Sequence, residues 1–582
     1  MRAASLFAVF ALLRIAMMWG RPVPLSIWTP FAFFWQDAAL ALGFLAFERF
    51  ARRKAIVSVA YYALVLLAVV NAPVVRVLST PLTVPMMRAA RGTLMDSLLY
   101  HATPGNLALA ALLLGLGIVL PRLLPERMPQ ARALVAGALA FTLVGPFAAN
   151  RIDTWGRERN PLFALARTAL PRVRPGAAES DFRASDWPAK PAPNLARFRA
   201  AAAGTNVLLV VLESTAAQYL EPYGAAEDPT PNLSELARRS IVIESAYAVY
   251  PESVKGFLSV IASRFPAFDR PAEHHVPLAS PSLATRLAAE GYATGLFHSG
   301  RFMYLGMDAL LAGTGFGTLH DAGHIGGNHN SSFGIDETAA VQHILAWIDA
   351  LPREQRFFVA YLPIAGHHPY AYSVDAPFSP EQEIDRYRNA LFEGDVAVGT
   401  LLDGLRSRGL ADSTLVVVLG DHGEAFGQHP GNYGHTLALY DENVRVPLLF
   451  AVPGVEGVRV DRTASLVDTA PTVLDLLGLD APAPFQGASL LDGEERVALF
   501  YTDQSLGLLG LRDGCIKLIH ELDSRRSRAF DVCHDPEERV DIADRMAQRA
   551  EAYAQRLRTW SAAQVREVNE AAPEMDRNGA GS

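Results

Sequence analysis

The stretch Val416–His429, VVVLGDHGEAFGQH, decides how this chain folds. It opens with a short, continuous, mostly β-branched apolar run, the pattern of a strand covered on both faces in a parallel sheet. Asp421 and His422 close that run, and Gly423 follows where a tight turn needs backbone freedom. Ligands of open α/β sheets bind outside the carboxyl ends of the strands, so an acid and an imidazole at this end stand where chemistry is done. Together they can coordinate one divalent cation through carboxylate oxygen and imidazole nitrogen. An isolated Asp-His pair reads more simply as a cap beside a surface histidine. Here Glu424, His429 and His435 follow within a few residues and favour the site.

Working outward, similar runs recur at NVLLVVLE (206–213), ATGLFH (293–298), FFVAYLP (357–363), TLVVVLGD (414–421) and VPLLFAVP (446–453). Between them lie helical patterns at 281–291, 337–351 and 385–409. This alternation predicts an α/β fold with a doubly wound, mainly parallel sheet over residues 201–565. Four of the five strands end at or near a polar candidate: Glu213, His298, His367 and Asp421.

The chain has 582 residues, half of them apolar, and its length predicts two or more domains. Five apolar runs crowd into residues 1–150, at 3–20, 30–47, 56–75, 106–120 and 133–149. A bilayer-crossing helix needs roughly 20 residues, which each run reaches with its flanks, so a five-helix transmembrane domain is expected. A cleaved signal peptide is the competing reading of the first run. Arg14 interrupts that run, and MMWGRPV lacks a small-x-small cleavage pattern. The basic clusters ERFARRK (48–54) and PRLLPERMPQAR (121–132) place those loops and the N-terminus in the cytoplasm. Everything after residue 150 is then exported, although the opposite loop carries Arg88 and Arg91.

Residues 151–200 read as a juxtamembrane connector, with NPLFALARTAL (160–170) as a short amphipathic helix on the bilayer surface. Residues 566–582 read as a disordered tail. The two cysteines, Cys515 and Cys533, flank two strand-like runs around a polar turn near 523–526, and an oxidising compartment permits a disulfide between them. With a net charge of −8 and no basic stripe, the chain shows no nucleic-acid footprint.

Glu213 ends an apolar run and is followed by Ser214 and Thr215, which read as caps of a following helix. Ser253 stands just before the apolar-periodic helix of YPESVKGFLSVIA, with Lys255 two residues on. A hydroxyl at a helix N-terminus can be a plain cap, or a nucleophile where the helix dipole would hold a phosphate or sulfate. His298 with Arg301, His367 with His368, and His435 are further candidates for oxyanion binding or leaving-group protonation. His274, His275, His320, His324 and His329 read as incidental.

With NVLLVVLES, TPNLSELARRSIVIESAYAVYPES, GDHGE, YDENVRVPLLF, SLVDTAPTVLDLLGL, FQGASLL and the closing LRDGCIKLIHELDSRRSRAFDVCHDPEE in this order, residues 204–565 resemble the sulfatase branch of the alkaline-phosphatase-like superfamily. The apolar runs and the lone acid of LES resemble the membrane transferases that make lipoteichoic acid or add phosphoethanolamine to lipid A. That resemblance implies one divalent metal, Mn or Zn, held by Glu213, Ser253, Asp421 and His422, with Ser253 as nucleophile. It implies substrate binding by His298, His367 and His435, to which the residues add Lys255 and Arg301. A phospholipid donor, an envelope glycan or lipid acceptor and a bacterial inner-membrane location are implied as well. The chain departs from the pattern in carrying Ser where those transferases carry Thr. It also lacks the C/S-x-P-S-R motif of formylglycine sulfatases, while its C-terminal hairpin is more sulfatase-like. A sulfatase or phosphodiesterase hydrolase is therefore the alternative, and a catalytically silent binding protein the second.

Overall fold

The computed structural model describes residues 1–89, 101–125, 131–177, 181–187, 193–329, 331 and 333–578. Arg91, Arg127 and residues 579–582 lie outside them.

The five apolar runs form helices Arg2–Met18, Thr29–Phe50, Lys54–Leu78, Pro104–Leu123 and Ala131–Arg151. Four are long and apolar enough to cross a membrane; the first, at 17 residues, is shorter and packs among them. Large apolar side chains such as Val59, Leu66 and Leu143 point outward, as they do when a helix faces lipid rather than water. Small residues let the helices approach: a Cβ on Gly117 would meet Val65 at 2.5 Å, and one on Gly145 would meet Trp35 at 2.0 Å. Arg14, the charge that interrupts the first run, is buried against Asp37 at 3.1 Å and donates to the Arg159 carbonyl at 2.8 Å. Asn160 closes the same network onto Asp37 and Gln36, so the start of the connector is tied into the helices.

Asn160 also caps the helix Pro161–Thr168. Beyond it the connector is strapped to the sheet domain by Arg172–Asp269 and Arg183–Asp468. Leu195 and Phe198 already belong to that domain's core.

The strands are β1 (Asn206–Leu212), β2 (Ile241–Tyr247), β3 (Ala293–His298), β4 (Thr318–His320), β5 (Phe357–Leu362) and β6 (Thr414–Gly420). A small hairpin, β7 (Ala425–Phe426) and β8 (Tyr433–Gly434), precedes β9 (Arg445–Val446), β10 (Leu448–Ala451) and β11 (Val458–Ser465). The main sheet runs β11-β2-β10-β6-β1-β5-β3-β4, with β9 beside β2. Pairings are parallel except at β9 and at β10, which runs antiparallel to both of its neighbours. Fully buried β1, β5 and β6 form the centre, with helices on both faces.

The predicted C-terminal hairpin is one edge of a four-stranded antiparallel sheet, β12 (Ala498–Thr502), β13 (Leu508–Asp513), β14 (Ile516–Glu521) and β15 (Ser527–Asp531). Cys515 and Cys533 are disulfide-bonded across β14 and β15. The expected tail from residue 566 is instead helical as far as Asn578, because Val568 continues an apolar face that packs on this sheet with Trp560.

The two halves of the chain touch at one end of the long helices. Thr80 meets Ser505 at 2.7 Å, and Arg526 donates to the Ile152 carbonyl at 3.1 Å. The ERFARRK loop joins the opposite ends of helices 29–50 and 54–78.

Candidate active site

Glu213 follows β1, Asp421 and His422 follow β6, and Ser253 opens the helix Ser253–Ala262. Parallel register between β1 and β6 sets the first three side by side. Ser214 then turns the chain through a left-handed conformation (φ 53°). Its N–H donates to Asp421 Oδ1 at 3.0 Å and its hydroxyl to Glu213 Oε1 at 2.9 Å. Ser214 thus locks the two carboxylates together, and neither it nor Thr215 caps a helix; only a 3₁₀ turn follows. Gly423 serves close approach rather than a left-handed turn, since a Cβ there would lie 2.1 Å from the Glu442 carbonyl.

Ser253 is not the cap of its helix. Glu252 is, accepting from the backbone N–H of Val254 and Lys255, so those donors are not open to an anion. The Ser253 hydroxyl instead donates to Glu213 Oε2 at 2.8 Å and lies 3.4 Å from His422 Nε2. That nitrogen is 3.5 Å from both Glu213 and Asp421. His422 Nδ1–H is bonded to the Gly423 carbonyl, which leaves Nε2 as the lone-pair nitrogen.

The donor set fits a divalent cation. Ligand atoms of Glu213, Asp421 and His422 lie within 4.8 Å of one another, and all three residues are buried. Among the described residues, no Lys or Arg forms an ion pair with either carboxylate. Burial and the neighbouring Glu213 push the Asp421 carboxyl well above the usual range, because two adjacent buried carboxylates repel when both ionise. His422 is lowered to about 4 by burial and by His435, which keeps it in the neutral, ligating form.

These groups open into a cavity of about 390 Å³ that His298, His367, His435 and Arg301 also line. His298 and His367 each give Nδ1–H to a backbone carbonyl, of Leu362 at 2.8 Å and His368 at 2.6 Å. Their Nε2 atoms are the remaining acceptors. A Cβ on Gly366 would lie 2.5 Å from the Glu213 carbonyl, so glycine lets the His367 loop close against β1. His435 stacks on His422 at 4.2 Å and bonds Glu424 at 2.7 Å. Burial would lower His435, but Glu424 outweighs it and raises the imidazole to about 9.

Lys255 is the exception among the expected substrate contacts. It is buried away from the cavity, 3.0 Å from Asp503 and 3.9 Å from the Tyr250 ring, because position three of the helix points into the core. Two residues with working positions were not singled out from sequence, Tyr370, which donates its hydroxyl to Glu424 at 2.7 Å, and the cap Glu252, while Glu424 was noted only as a neighbour of the Asp-His pair. Glu424 stood in GDHGE and Tyr370 in HHPY, but nothing in either motif says which histidine the acid holds.

Residues 205–479 match the Sulfatase family. Arylsulfatase K of Xenopus laevis is 25% identical over 244 residues, covering 37% of this chain and 45% of that protein. Lipoteichoic acid synthase-like YvgJ of Bacillus subtilis is 23% identical over 324 residues, covering 50% and 51%. The chain therefore spans about half the length of these relatives. A solved protein of the alkaline phosphatase superfamily from Vibrio parahaemolyticus superposes with a TM-score of 0.54 at 20% identity, over 67% of this chain and 94% of that one. Motif order and sequence relatives agree, and the solved structure shares the fold: residues 205–479 carry a Sulfatase-family domain, similar both to arylsulfatases and to lipoteichoic acid synthases.

Proposed function

We propose that the protein is a membrane-bound, metal-dependent transferase that moves a phospho-head-group, phosphoglycerol or phosphoethanolamine, from a phospholipid to an envelope glycan or lipid. One observation carries the reading: Met86, from the segment that follows the apolar helix Lys54–Leu78, forms part of the wall of the cavity. The chain would cross a bacterial inner membrane five times, N-terminus inside, with the sheet domain outside.

Glu213, Ser253, Asp421 and His422 would hold the metal, Mn or Zn, which as a Lewis acid makes a serine hydroxyl acidic enough to react at neutral pH. Ser253 Oγ bonds to phosphorus as the bond to the diacylglycerol oxygen breaks, and the serine proton passes to that oxygen. His298 and His367 orient the phosphoryl oxygens or relay this proton through Nε2, and Arg301 adds positive charge to the wall. The acceptor then takes the head group from phosphoserine.

Hydrolysis is the second reading, favoured by the similarity to arylsulfatase K. Fluorescent phospholipid in vesicles separates the two. Labelled diacylglycerol together with a modified acceptor is expected; free head group alone would make the protein a hydrolase. Ser253→Ala should be inactive, and full turnover by that variant would remove the covalent mechanism.

A further inference from the structure

A second cleft lies beside the catalytic cavity. His368, His435 and Thr436 line both the cavity and a neighbouring cleft of about 770 Å³, within the size range of ligand sites. One wall of the cleft is made by the ends of helices Arg2–Met18 and Lys54–Leu78, with Trp19, Arg21 and Arg76. The other wall belongs to the sheet domain and carries Tyr370, Tyr433 and the carboxylates of Glu383 and Glu424. Gly431 lets the two walls approach closely: it adopts φ 88°, and a Cβ there would lie 2.7 Å from Ser79 Oγ.

The two pockets differ in chemistry. Away from the metal ligands the cavity is walled mainly by carbon, from Phe257, Leu305, Met307 and Phe333. In the cleft, aromatic faces alternate with charged groups of both signs, and Trp19 is 83% exposed and Tyr433 41%. An acyl chain there would strip water from the partly exposed charges of Arg21, Arg76 and Glu383 without replacing it. A hydroxyl-rich ring or polyol stacks its C–H face on the aromatics while its hydroxyls meet donors and acceptors. Because the cleft sits where the apolar helices end, its ligand is a head group lying at the bilayer surface.

We propose that this cleft is the acceptor site: a lipid-borne, hydroxyl-rich head group enters there, while the lipid donor occupies the carbon-walled cavity. The two sites share His435 and Thr436 in their walls. This rests on the transferase reading above. In the second half-reaction the acceptor oxygen bonds to phosphorus as the P–Oγ bond of Ser253 breaks, and the acceptor's hydroxyl proton goes to Oγ, restoring serine.

The test uses the full chain in liposomes of phosphatidylglycerol and phosphatidylethanolamine, with and without a diglycosyl diacylglycerol. Diacylglycerol release measures donor cleavage, and mass spectrometry measures the phosphorylated glycolipid. Tyr433→Ala and Trp19→Ala should each lower transfer relative to donor cleavage on the order of tenfold, the scale of losing one aromatic contact. Donor cleavage with water as acceptor should stay within about twofold, which also reports that the variants fold. An unchanged ratio overturns the proposal. So does an equal loss of both steps, which for Trp19 would mean bilayer anchoring alone. Wild-type protein that yields only free head group overturns the transferase reading itself, before any variant is compared.

Discussion

Two buried charge clusters in this molecule follow opposite rules. Among the N-terminal helices, Arg14 and Asp37 are out of water but fully compensated: the guanidinium faces the carboxylate, and Asn160 and the backbone carbonyls of the connector take the remaining bonds. At the ends of β1 and β6, Glu213 and Asp421 are equally buried and carry the same sign. The first cluster is complete within the chain and ties two regions together. The second is complete only with a cation, and that incompleteness marks it as a site rather than a brace.

The comparison can be broken most forcefully at Arg14. Arg14→Met should destabilise the helical region by about 3–5 kcal/mol by leaving Asp37 buried and unpaired, whereas Arg14→Met with Asp37→Leu should recover most of that loss. Thermal unfolding in detergent would check it, and equal melting points for the single and double variants would refute it. At the strand ends the expected response is to metal. Mn or Zn at about 100 times its Kd should stabilise the wild-type domain by roughly 2.7 kcal/mol, reversed by a chelator. Asp421→Asn should lose that response and the activity.

A sharper form compares signs. Without metal, Asp421→Asn removes a like-charge contact while Oδ1 still accepts from Ser214 and His422. It should therefore raise the melting point, by about 1 kcal/mol of stability, in contrast to Arg14→Met. The smallest effect is expected where the regions meet. Gly431→Ala forces a side chain into a left-handed conformation against Ser79 and should cost roughly 1 kcal/mol. It should also slow turnover of vesicle lipid more than that of a soluble phosphodiester; equal slowing would mean the contact does not orient the domains.

Much of the site was legible because its acids and one imidazole end apolar strands, and strands of a parallel sheet place their ends together whatever lies between them in sequence. Glu213, Asp421 and His422 meet for that reason, and Ser253 joins them from the helix that follows β2. Lys255 was misplaced because spacing alone does not say which face of a helix meets the cavity; its pairing with Asp503 depends on a contact 248 residues away. The tail was misplaced for a similar reason, since Val568 is apolar surface until the four-stranded sheet arrives to cover it.

The sequence by itself determined the alternation of strands and helices, the crowding of apolar runs near the N-terminus, and which residue types sit at strand ends. Those properties are local: period, propensity and chain order carry them. Only the tertiary structure decided that β10 runs against its neighbours, that Glu252 rather than Ser253 caps the helix Ser253–Ala262, and that Glu424 pairs with His435. It alone decided, too, that the cleft beside the cavity lies against the ends of the apolar helices. Each of these depends on which distant surfaces pack together, and side chains find partners across space that no spacing along the chain encodes.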